Sequence, residues 1–68
     1  SGAAAAKALL EAAVARTPGQ AALWTPLGDA RQVLGDLPGA IEAYERAVSL
    51  DPAQTKAATE LEKLQQTP

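Results

Sequence analysis

Apolar residues along the chain fall into four runs with helical spacing. The clearest is 38–50, where Ile41, Tyr44 and Val48 step by three and four and so share one face. The run 3–16 is built almost wholly from Ala, Leu, Lys, Glu and Arg, the strongest helix formers. A third run covers 21–34. The fourth, 53–65, carries a narrow stripe of Ala53, Ala57, Ala58, Leu61 and Leu64 between Lys, Glu, Gln and Thr. These predict four helices over about 3–16, 21–34, 38–50 and 53–65. Gln65, Gln66, Thr67 and Pro68 are expected to fray, as exposed termini do.

The punctuation between the runs has a mechanism. Thr17-Pro18-Gly19 ends the first helix, because the residue before proline avoids the helical region and glycine disfavours its continuation. Gly35-Asp36 makes the central turn, with Asp36 placed to cap the third helix. Pro38 falls in that helix's first turn, where its missing N–H costs nothing. Asp51-Pro52 ends the helix. Pro26 is the oddity of the second helix, since it removes one backbone bond and crowds the carbonyl of Ala22. Either the helix starts near Thr25, with Thr25 as cap, or it is continuous but kinked; the second reading is preferred here.

A turn as short as Gly35-Asp36 makes the second and third helices antiparallel neighbours. Gly28 and Ala40 are small enough to let their backbones approach. Trp24, Leu27, Val33 or Leu34, Ile41, Tyr44, Val48 and Leu50 are expected to fill the seam. Glu42 and Arg46, four apart, suit a surface ion pair. The first helix is apolar nearly all round, with only Lys7, Glu11 and Arg16 charged, which calls for burial on more than one side. The fourth is polar outward, as the end of a helical stack should be.

Composition narrows the possibilities. At 68 residues the chain makes one small module. Without Cys it has no disulfide or thiolate metal site, and without His or Cys no nucleophile–base pair can be assembled. Ser1 and Ser49 stand in no recognisable nucleophile motif. Gly35-Asp36-Leu37-Pro38-Gly39 is a helix–helix turn and not a phosphate cradle between strand and helix. Asp29 and Asp36, seven apart, are weak as a metal pair and read as solvated or capping carboxylates. No catalytic activity, cofactor or metal is therefore expected. A net charge of −2, scattered along the chain, lacks the clustered basic face that nucleic acid requires. No apolar run approaches the ~20 residues of a membrane span, so membrane insertion is not expected.

The stretch 21–54 resembles one tetratricopeptide repeat. The residues that carry the likeness are Trp24, Leu27-Gly28, Ala40, Tyr44, Ala47 and Asp51-Pro52. Ala6, Leu10, Ala13 and Pro18 repeat the spacing of Ala40, Tyr44, Ala47 and Pro52 at an offset of 34 residues, the period of that family. The resemblance implies an all-α fold: four antiparallel helices, a fragment of a right-handed α–α superhelix, with one complete repeat between two half-repeats. It also implies a protein-interaction or scaffolding role within a larger protein or assembly. In this family the first helix of each pair lines a concave groove that takes a peptide or protein. By that resemblance Ala22, Thr25, Asp29, Gln32 and Val33 would face the groove from the second helix. Lys56, Thr59, Lys63 and Gln66 would face it from the fourth. Members that capture chaperone tails hold a carboxylate with Lys and Asn at the positions of Thr25 and Asp29; this chain has neither, which argues against that use. Arg31 departs from the family's usual Tyr and is expected to lay its stem on apolar surface with its charge in water. Trp24 reads as seam filling in preference to a binding anchor, and Tyr44 as core with its hydroxyl at the edge. The alternative role is self-association through the apolar first helix.

Overall fold

The computed structural model, described over residues 2–66, is all-α: α1 (Gly2–Arg16), α2 (Ala21–Val33), α3 (Leu37–Leu50) and α4 (Thr55–Gln66). Among the described residues there is no strand. Thr67 and Pro68, expected to fray, lie outside the described residues. Consecutive helices run antiparallel. From α2 to α3, Trp24 meets Arg46, Gly28 meets Tyr44, and Arg31 meets Gly39. From α1 to α2, Val14 packs with Leu27 and Glu11 reaches Arg31.

The turns arise from local chemistry. At the end of α2, Gly35 takes φ +83°, a left-handed conformation that glycine adopts without steric cost. Its N–H donates to the Gln32 carbonyl at 3.0 Å, and the Asp36 N–H to the Arg31 carbonyl at 2.9 Å. That pair of bonds satisfies carbonyls the helix end leaves open. Asp36 then caps α3, its Oδ1 accepting from the Gly39 N–H at 3.0 Å. At the next turn Asp51 Oδ1 accepts the Ala53 N–H, and the Gln54 N–H donates to the Asp51 carbonyl. This holds Ala53 and Gln54 out of α4, which therefore starts two residues later than expected, at Thr55.

Helix α2 is continuous through Pro26. The carbonyl deprived of its partner belongs to Ala22, which is exposed, so water can serve it. Thr25 is not a cap. It is buried, and its hydroxyl donates to Gln54 Oε1 at 2.8 Å.

Two apolar clusters form the core. Val14, Leu27 and Ala43 join α1, α2 and α3, with Leu10 and Leu23 beside them. Ala40, Tyr44, Ala47 and Ala57 join α3 to α4, with Val48, Leu61 and Leu64 beside them. Trp24 packs against both, and its indole N–H donates to the Pro18 carbonyl at 2.8 Å. Gly28 does make a close approach, but to the Tyr44 ring: a Cβ there would stand 2.6 Å from Tyr44 Cε1. The expected seam is too generous. Val33, Leu34 and Leu50 are exposed; the α2–α3 seam closes on Leu27 and Tyr44, with Ala40, Ala43 and Ala47 letting α3 approach its neighbours closely. Ala53 and Ala58 are likewise exposed, leaving Ala57, Leu61 and Leu64 as the packed stripe of α4.

Candidate functional site: the shared face of α2 and α4

On α2, Ala22, Asp29 and Val33 are spaced seven and four apart and lie on one side of the helix. Ala22 is exposed, Asp29 half-exposed, and Val33 is 75% exposed. On α4, Lys56, Thr59 and Lys63 are exposed along one side. The two rows are tied together where Lys56 Nζ donates to Asp29 Oδ2 at 2.6 Å. Six of the expected groove residues thus lie exposed or half-exposed along the facing sides of two helices.

The other three have different places. Thr25 points inward to Gln54 and is not available to a partner. Gln32 is half-buried, 3.1 Å from the Tyr44 hydroxyl. Gln66 lines a different hollow, beside Val48 and Leu61 on the far side of α4. The reason, for Thr25 and Gln32, is helical phase: they sit a rotation away from the row of Asp29, on the edge of α2 that meets Tyr44 of α3 and the turn before α4.

Beneath the exposed rows lies a polar network that sequence reasoning does not assemble. Tyr44 is fully buried, and its hydroxyl donates to Asp29 Oδ1 at 2.5 Å. Asp29 therefore accepts from a buried phenol on one oxygen and from an ammonium on the other. Burial, then the bond to and charge of Asp29, hold the Tyr44 hydroxyl protonated well above the usual tyrosine range. The same carboxylate, by hydrogen bond and charge, raises the pKa of Lys56. One sequence signal points here. A buried Tyr needs a partner for its hydroxyl, and Asp29 directly follows the glycine that receives the ring.

Arg31 also departs from expectation. Its side chain is 14% exposed, and its head is enclosed rather than in water. It donates to the Gly39 carbonyl at 2.9 Å and reaches Glu11 and Glu42 at 3.4 Å, clipping α1, α2 and α3 together. Glu42 so engaged, Arg46 does not pair with it as its spacing suggests; its guanidinium lies over the Trp24 ring, 5.5 Å from the centroid. A cation over an indole is an ordinary use of arginine.

Among the described residues, no acidic cluster could hold a metal ion, and no helix is long and apolar enough to cross a membrane. Comparison with family models, curated proteins and solved structures finds no match to this chain.

Proposed function

We propose that the chain is a protein-interaction module of tetratricopeptide type, a fragment of a right-handed α–α superhelix with one complete repeat and two halves. Its partner surface is the shared face of α2 and α4. The observation that carries this is the pair of exposed rows, Ala22–Asp29–Val33 and Lys56–Thr59–Lys63, joined at the Asp29–Lys56 pair. In support, helix ends recur at the family period: Arg16 and Leu50 close α1 and α3, and Ala21 and Thr55 open α2 and α4, each 34 residues apart. The face presents an apolar side chain, Val33, and two exposed lysines whose surface pairs with Asp29 and Glu60 an acidic peptide can exchange for its own carboxylates. We assign the module no reaction of its own. The polar groups brought together satisfy one another, and the Tyr44 phenol is held protonated within the core.

The test is a titration of the isotopically labelled protein with acidic, leucine-containing peptides, monitored by NMR. Shifts are expected at Asp29, Val33, Lys56 and Lys63, and weaker binding in Lys56→Glu/Lys63→Glu with the helical signal intact. Binding that survives the double charge reversal unchanged would remove this face from consideration. A second reading, self-association through α1, is favoured by Leu9, 72% exposed on a helix whose outward side is otherwise alanine (Ala4, Ala5, Ala8, Ala12 and Ala15) between Gly2 and Arg16 at its ends.

A further inference from the structure

The register of 34 residues relates two surfaces at opposite ends of the molecule. Inside the chain, α3 seats Ala43 against Val14 of α1 and Leu27 of α2, and lays Tyr44 over Gly28. Advanced by one period, Val14, Trp24, Leu27, Gly28 and Arg31 become Val48, Ala58, Leu61, Glu62 and Gln65. Those five residues line a cleft of about 320 Å³ along the outer side of α3 and α4. Moved back by one period, Ala43 becomes Leu9, the large apolar side chain left exposed on α1. The chain thus carries, at its two ends, the knob and the socket of a contact it already makes internally.

We propose that a second copy of this chain fills the cleft: Leu9 on α1 of one molecule enters the hollow between α3 and α4 of the next. This deepens the self-association reading and rests on it. Sizes support the match. The position of Trp24 is Ala58 in the cleft, which vacates volume, while the position of Ala43 is Leu9 on the knob, which fills it. Such a contact joins two different surfaces, so it propagates head to tail, as a row or a ring, and is not the self-complementary contact of a symmetric pair. One helix face is far smaller than the ~1,600 Å² of a standard stable interface, so the association is weak and concentration-driven.

Sedimentation equilibrium from micromolar to millimolar protein tests this. The weight-average mass is expected to climb past that of a dimer. Leu9→Arg and Ala58→Arg alter exposed side chains, and circular dichroism is expected to show both folded. Each alone is expected to stay monomeric. Mixed, they are expected to form a heterodimer that grows no further, because one supplies an intact cleft and the other an intact knob. A second route uses the absence of native cysteine. Leu9→Cys in one protein and Ala58→Cys in another should give the mixed disulfide well in excess of either homodimer. Self-association unimpaired by Ala58→Arg would mean an α1–α1 pair and overturn the proposal. A monomer throughout the concentration range, or a mixture that does not recombine, overturns it too. Neither substitution touches Asp29, Val33, Lys56 or Lys63, so peptide binding to the α2–α4 face is scored independently of this outcome.

Discussion

Helices α2 and α4 begin 34 residues apart and open from similar turns, yet they live in different surroundings. Helix α2 lies between two neighbours, α1 and α3, and buries Ala21, Thr25, Leu27, Gly28 and Ala30. Helix α4 leans chiefly on α3 and buries only Ala57 fully. The residues at matching positions record this. Where α2 has Trp24, Gly28 and Arg31, each committed to a contact with α3, α4 has Ala58 and Glu62, which border an open cleft, and Gln65, which borders it while donating a long 3.5 Å bond to the exposed Glu45 of α3. A helical position is thus set by what stands opposite it more than by its own propensity, and the middle of a short stack tolerates little that its end accepts.

The sharpest way to break the comparison is to add bulk at one matched position in both helices. In Gly28→Leu even the Cβ would sit 2.6 Å from the Tyr44 ring. Overpacking costs about 1–3 kcal/mol in ordinary cores, and a module of this size has about 3–5 kcal/mol to lose. Gly28→Leu is therefore expected to remove a large share of that stability, read as a clearly lower melting temperature by circular dichroism. Glu62→Leu, on the open side, is expected to change stability by less than about 0.5 kcal/mol. Equal melting curves for the two would contradict the asymmetry.

Removing bulk sharpens the same contrast. Leu27→Ala empties a fully buried site and is expected to cost about 2–5 kcal/mol in urea unfolding. Leu61→Ala, at the half-buried counterpart, is expected to cost no more than about half as much, in proportion to the apolar area it covers. If Leu61 proved the costlier loss, α4 and not α2 would be the centre of the stack.

The smallest expected effect is on the polar tie between the helices. Tyr44 has its pKa raised in the fold by burial and by Asp29. A raised pKa means that the folded state keeps a proton the unfolded state has lost. This contribution is complete below the unfolded tyrosine value of about 10 and declines above it. Lys56, also raised, acts in the same direction. The melting temperature of the native protein should therefore fall more steeply above that pH than that of Tyr44→Phe. Parallel pH profiles would mean that neither burial nor Asp29 raises the Tyr44 pKa in the fold.

How much of this can be read from residues alone varies with the range of the interaction. Pro18, Gly35, Asp36 and Asp51 act within a few residues of themselves, and the helix ends they imply stand within two residues of the observed ones. The packing of Tyr44 against a small residue on α2 is also legible, although the approach is ring to glycine rather than backbone to backbone. The exposure of Leu34 and Leu50 is not, since a large apolar side chain is buried only if a neighbour stands over it. Thr25 escapes a local reading because its inward turn depends on Gln54, 29 residues away. The enclosure of Arg31 depends on Glu11, Gly39 and Glu42 arriving from two other helices. Of the candidate face, the two exposed rows come from helical phase, whereas the phenol beneath them requires the third helix to be in place.

Trp24 touches both apolar clusters, is hydrogen-bonded to the Pro18 carbonyl, and carries the Arg46 guanidinium over its ring. As the only indole in the chain, it is a built-in fluorophore seated where the two apolar clusters meet. Its emission therefore reports the integrity of the centre and is blind to fraying at the distal turns of α1 and α4. Any denaturation in which ellipticity declines before the emission maximum moves to the red is the outer helices unwinding while the middle pair still holds.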